Sequence, residues 1–110
     1  MWRAAAEAAE HLPDPSARAL AHRFLGRAHA ELGRCGQAVE HYRQAVVLLR
    51  ALGNTTNAAD ALDRLGHSPA ALGQHAQARA AWEEAFNLYR QQGRDTDAER
   101  VRRQLDAPPR

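Results

Sequence analysis

The sequence predicts an all-α fold, a right-handed superhelical solenoid of helical hairpins, with about six helices and a repeat of 40 residues. Three observations predict it. The chain matches itself without a gap when displaced by 40 residues. Glycines and prolines stand where helices would stop and start, and between them apolar residues recur three and four apart. Val, Ile and Thr are too few to build strands.

The internal match is one of kind as well as identity. Leu25-Gly26 falls on Leu65-Gly66, and Ala30, Leu32 and Gly33 fall on Ala70, Leu72 and Gly73. Gln37-Ala38 falls on Gln77-Ala78, Tyr42 on Trp82, Ala45 on Ala85, Leu48 on Leu88, Gly53 on Gly93 and Ala58 on Ala98. A unit of this size cannot bury its apolar face alone, so copies are expected to stack and share one core.

Taken in order, residues 2–12 read as a half repeat. Trp2, Ala5, Ala8 and Leu12 align with Tyr42, Ala45, Leu48 and Leu52, the second helix of a hairpin without its first. Repeat 1 covers 15–53, with helices at 15–32 and 36–52. Asp14 can cap the first and Pro15 suits its first position. Gly33 can take the left-handed conformation that ends it. Repeat 2 covers 55–93, with helices at 56–72 and 75–92, started by Thr55 or Thr56 and stopped by Gly73 and Gly93. A terminal helix within 95–106 is expected to begin at a capping box of Thr96 and Glu99. Ala107-Pro108-Pro109 ends it, and 107–110 form a tail. The whole of 1–110 reads as a single domain, the tail end of a longer array or a truncated product.

Two features inside the helices need a packing reason. Glycine in a helix interior costs about 1 kcal/mol relative to alanine, so Gly26 and Gly66 are expected at close helix–helix contacts. Pro69 lacks the N–H that would bond the Leu65 carbonyl. Because Ala70, Leu72 and Gly73 keep the register of Ala30, Leu32 and Gly33, a kinked continuous helix is favoured over a restart capped by Ser68.

Composition narrows the function. All fifteen basic residues are arginine, which reads as the codon bias of a GC-rich bacterial genome. The net charge is only +2 and acids are interleaved with the arginines, unlike a nucleic-acid footprint. No apolar run approaches the ~20 residues that span a bilayer, and Glu7 falls where a signal peptide would be apolar. A cytoplasmic location is expected, with no membrane partner. Cys35 is the single cysteine, so no internal disulfide forms. His22 and His29 lie seven apart, wider than the i, i+4 spacing of helical chelation, and are read as packing residues. No phosphate loop, nucleophile elbow or zinc signature appears, so neither an enzyme nor a metal or other cofactor is expected.

These residues resemble the tetratricopeptide (TPR) repeat. Leu25-Gly26 and Leu65-Gly66 match the Leu-Gly pair of that family's first helix, and Ala38, Tyr42, Ala45 and Ala78, Trp82, Ala85 match the small–aromatic–small pattern of its second. The resemblance covers residues 15–105. The 40-residue period exceeds the usual figure of about 34, His29 stands where the family has tyrosine, and Pro69 interrupts a helix. Asp60-Ala61-Leu62-Asp63-Arg64-Leu65-Gly66 and Ala78-Arg79-Ala80-Ala81-Trp82-Glu83-Glu84-Ala85 look like the C-terminal TPR arrays of actinobacterial regulators of the SARP/AfsR type.

The resemblance implies a concave groove lined by the first helix of each hairpin, holding a protein or peptide partner. Counting from the Leu-Gly pairs, it implies Arg23, Arg27 and Glu31 in the first unit, Asp60, Arg64 and His67 in the second, and Arg100, Arg103 and Gln104 in the last helix. Arg23, Arg64 and Arg100 are loosely comparable with a carboxylate clamp, but the asparagines are missing and Asp60 and Asp63 intrude. A mixed-charge surface for a peptide or domain is therefore expected, with His67 beside a bend at Pro69. The expected function is a protein-interaction module, the C-terminal regulatory part or a fragment of a bacterial transcriptional or signalling regulator. One alternative is a free-standing adaptor that self-associates through its N-terminal edge. Another is nucleic-acid binding through Arg100, Arg102, Arg103 and Arg110, against which the interleaved acids argue.

Overall fold

A computed structural model of the chain describes residues 13–71 and 73–107, with no side chains described for 69–71. The reading of 2–12 as a half repeat, and of 108–110 as tail, lies outside these residues. The described residues form five α-helices and no strand: α1 (Pro15–Glu31), α2 (Cys35–Ala51), α3 (Thr55–Ala71), α4 (His75–Gln91) and α5 (Asp95–Asp106). Each packs chiefly on the helices before and after it in the chain. The linkers 32–34, 52–54 and 92–94 are short enough that successive helices run antiparallel.

The linkers explain the regularity. Gly33, Gly53, Gly73 and Gly93 all have φ between 70° and 77°, a conformation that costs other L-residues roughly 1–2 kcal/mol. At Gly33 the glycine N–H donates to the Ala30 carbonyl and the next N–H, Arg34, donates to His29. The same pair of bonds closes α2 at Gly53 and Asn54, and α4 at Gly93 and Arg94. This double closure satisfies the last carbonyls of one helix. The residue that completes it is already the N-cap of the next helix: Arg34 for α2 and Arg94 for α5.

Side-chain capping follows the sequence at one end and departs from it at the other. Asp14 caps α1 through its carboxylate, which accepts from Ser16 N at 3.0 Å. Asn54 Oδ1 accepts from Asn57 N at 3.2 Å at the start of α3, so the capping side chain there is Asn54 and not a threonine. The expected capping box of Thr96 and Glu99 does not form. The closure at Gly93 makes Arg94 the cap, and Asp95 is already helical. Asp95 and Asp97 in the first turn instead place negative charge at the helix N-terminus.

The core is built largely from alanine, which lets helices approach closely. Ala19, Ala38, Ala45, Ala58, Ala61 and Ala85 are fully buried, interleaved with Leu49, Leu62, Leu65, Tyr42, Tyr89 and Val101. The expectation for the helical glycines holds. A Cβ on Gly26 would lie 3.1 Å from the Tyr42 ring, and one on Gly66 would lie 2.5 Å from Trp82 Cδ1. The missing side chain at Gly66 lets the indole lie on α3, where Trp82 Nε1 donates to the Asp63 carbonyl at 3.1 Å. α3 continues through Ser68 and Pro69 to Ala71, so the restart at Ser68 does not occur; Ser68 is buried.

Candidate functional site

The odd-numbered helices turn polar side chains toward one face. On α3, Asp60, Asp63, Arg64 and His67 follow steps of three and four, which places them on one side of a helix. With Arg23 from α1, Tyr89 from α4 and Arg100 from α5 they line a cavity of 330 Å³. A second cavity of 200 Å³ adjoins it, lined by Leu20, Arg23, Phe24, Arg27, Tyr42 and Arg64. Arg23 and Arg64 belong to both. A shallower depression beside Asp95, Thr96, Glu99 and Arg103 touches the first through Arg100.

The polar cavity is organised by a closed ring of charges. Asp60 Oδ1 is 2.8 Å from Arg94 Nη2, which is 3.2 Å from Asp97 Oδ2. Asp97 Oδ1 accepts from Arg100 Nη2 at 3.1 Å, and Arg100 Nη1 is 2.7 Å from Asp63 Oδ2. The Tyr89 hydroxyl closes the circuit, 2.9 Å from Asp60 and 3.1 Å from Asp63. Asp63 is only 5% exposed, and a buried carboxylate persists only when paired and hydrogen-bonded. Burial, and the negative charges of Asp63 and Asp60, push the Tyr89 hydroxyl well above the ordinary tyrosine range. Burial works against the Arg100 charge, but its bonds to Asp63 and Asp97 outweigh that and raise its pKa. Arg94 behaves alike through Asp60, and its guanidinium also lies over the Tyr89 ring, 4.5 Å from the centroid.

Of the residues singled out from the sequence, five meet in the polar cavity: Arg23, Asp60, Arg64, His67 and Arg100. Arg23 Nη1 donates to Asn57 Oδ1 at 3.2 Å, while Arg64 makes no ion pair among the described residues. His67 packs edge-on against Trp82, lies 3.2 Å from the Gln104 amide and 3.6 Å from Asp63 Oδ1. Burial lowers its pKa, Asp63 opposes that shift, and Arg100 and Arg64 add to it. Arg27 lines the smaller cavity and pairs with Glu31 at 3.2 Å. Glu31 itself lines neither cavity. Arg103 stands at the depression on α5, 3.9 Å from Glu99. Arg100, grouped in the sequence with the groove cations, is held by two carboxylates. Sequence reasoning missed Tyr89 and Arg94 as site residues, and missed the apolar pair Leu20 and Phe24. Phe24, 70% exposed, could have been noticed as an aromatic one turn from Leu20 on a solvent-facing stripe.

Three histidines stack between α1 and α2. His41 lies between His22 and His29, with ring centroids 5.3 and 5.4 Å away. Both α1 histidines are buried, and burial, helped by Arg34, lowers the His29 pKa. Among the described residues no group of three or more His, Cys, Asp or Glu is arranged to hold a metal ion. No described helix is long and apolar enough to cross a membrane.

No protein-family model matches the chain, and no solved structure matches it. Among curated proteins it is similar to the regulatory protein AfsR of Streptomyces griseus, with 33% identity over 82 residues. That alignment takes in 74% of this chain but only 8% of the relative. The chain therefore resembles a small segment of a much longer bacterial regulatory protein.

Proposed function

We propose that the chain is a TPR-type helical-repeat module, stacked as a right-handed solenoid, that binds a segment of another protein without catalysing a reaction. In this reading it works in the cytoplasm as part of a bacterial regulator. One observation carries the proposal: α1, α3 and α5, the helices that begin successive hairpins, jointly line two adjoining cavities on one face. A groove spread over several repeats suits an extended partner better than a small substrate. The Leu-Gly pairs under Tyr42 and Trp82 support the repeat assignment. The similarity to a segment of AfsR supports the regulatory setting.

Site-specific photocrosslinking tests the proposal. A photoreactive residue at Phe24 or Arg103, with the chain in its native protein context, is expected to capture a discrete protein partner. The same residue at Arg79 or Glu83, paired with each other on α4 away from both cavities, is expected to capture none. Equal capture from both sets of positions would remove the groove from the proposal.

A further inference from the structure

The charge in the two cavities is not balanced. The ring around Tyr89 holds three carboxylates, Asp60, Asp63 and Asp97, against two guanidiniums, Arg94 and Arg100. Each carboxylate is held in the ring by at least one oxygen, while Asp63 Oδ1 is buried without a hydrogen bond among the described residues and has His67 Nε2 3.6 Å away. Facing the ring across the same cavity stand two arginines without an ion-pair partner among the described residues: Arg23, which donates to the neutral amide of Asn57, and Arg64. Counting all seven groups leaves one positive charge unmatched. Arg27 and Glu31 cancel each other at the rim, and as an exposed i, i+4 pair they hold each other weakly.

Beside this single excess charge lies apolar surface. Leu20 is 48% and Phe24 70% exposed, four residues apart on α1, with the Tyr42 ring behind them and Arg23 and Arg64 at their edge. The cavity there, 200 Å³, is smaller than pockets that enclose free small molecules, roughly 300–1,000 Å³, but it suits one large side chain.

We infer that the groove selects an internal peptide segment carrying one acidic side chain next to a large apolar one. The carboxylate lies between Arg23 and Arg64, and the apolar side chain lies against Leu20 and Phe24. This rests on the peptide-binding reading above and names the partner's chemistry. Arginine suits the carboxylate because its planar fork bonds both oxygens at once. A single unmatched charge does not suit a polyanion: nucleic acid needs a basic track that neutralises several phosphates, and here Asp60, Asp63 and Glu31 interrupt the arginines.

The test uses the full 110-residue chain and short synthetic peptides blocked at both ends, so that no terminal carboxylate is present. Four compositions are compared by fluorescence anisotropy: one Glu beside Leu, Gln beside Leu, Lys beside Leu, and several Glu with Ser. The Glu–Leu peptide is expected to bind tightest. Arg64→Ala and Phe24→Ser, both at exposed positions, are each expected to weaken it by about tenfold, the factor that loss of one charge-assisted or apolar contact produces. Circular dichroism confirms that both variants fold. Tighter binding of the Lys–Leu or poly-Glu peptide, or no effect of Arg64→Ala, overturns the inference while leaving peptide binding intact. Tighter binding of single-stranded DNA than of any peptide overturns it in favour of a nucleic-acid surface. Failure of all four compositions and of a random-sequence peptide array removes the peptide-binding reading itself.

Discussion

Replacing Gly66 with alanine pits helix propensity against packing, and the structure says which prevails. In an unobstructed helix the change stabilises by about 1 kcal/mol. Here the new Cβ would lie 2.5 Å from Trp82 Cδ1 and 2.8 Å from Cε2, and closer still to Nε1, so the indole must move. Overpacking of this kind costs about 1–3 kcal/mol. Moving the indole also breaks the Trp82 Nε1 bond to the Asp63 carbonyl, about 1 kcal/mol more. The balance is a net loss of about 1–3 kcal/mol, which for a domain of this size lowers Tm by roughly 4 °C or more. Urea unfolding followed by circular dichroism measures it. The diagnostic is a change of sign: in a Trp82→Leu background the obstruction is gone, and Gly66→Ala should stabilise by up to about 1 kcal/mol. Gly26 is a milder control, because its Cβ would meet the Tyr42 ring at 3.1 Å, and alanine there should change stability by less than about 1 kcal/mol. If alanine at Gly66 stabilises the otherwise unaltered chain, or costs the same in both backgrounds, the packing account is wrong.

Three further outcomes follow from the same contacts. Tyr89→Phe removes the hydroxyl between Asp60 and Asp63 and should cost about 1.5–3 kcal/mol, read from the urea midpoint; a neutral result would mean the ring does not need its closure. Gly93→Ala, where φ is 70° and no atom lies near the new methyl, should cost about 1–2 kcal/mol from the backbone alone, and Gly93→Asn less, as compared by Tm. His29 has a folded pKa below its ordinary 6.5, so the unfolded chain binds the proton more readily and stability rises with pH through this window. Its contribution is therefore present above pH 6.5 and is lost as pH falls from there through the folded pKa. Urea midpoints measured across that range should fall on acidification, and His29→Phe should flatten the part of the slope due to this residue.

The helices were legible because their signals are local. Glycine after the last apolar turn, alanine and leucine at steps of three and four, and Asp14 before Pro15 each act within a few residues of where they stand. The Thr96 box failed for a reason just as local but not sequence-evident: the closure at Gly93 had already assigned the cap to Arg94. The site was half legible. Register along α3 put Asp60, Arg64 and His67 on one face, because helical spacing alone decides that. The ring was hidden because its members come from α3, α4, α5 and a linker, and their meeting depends on how next-but-one helices are offset. Arg23 meets Asn57, Arg50 meets Glu84 and Asp60 meets Arg94 at 34 residues, while Asp63 meets Arg100 and His67 meets Gln104 at 37, whereas equivalent positions in sequence are 40 apart.

The fused closure-and-cap linkers turn the fold into a counting rule. Helices begin at Pro15, Cys35, Thr55, His75 and Asp95, at even intervals, and one residue inserted within a helix would turn everything after it in that helix by about 100° about its axis. Changes of length in whole helices are not all equivalent. Excising residues 34–73 would join α1 to α4 and bring Gly26 under Trp82 in place of Tyr42, an aromatic for an aromatic. Excising only 34–53 would join α1 to α3, with Leu62 where the ring belongs and two glycine-bearing helices face to face. Losing a hairpin thus keeps the glycine–aromatic contact that losing a single helix destroys, but it puts Leu20 and Arg23 where Asp60 and Asp63 meet Tyr89.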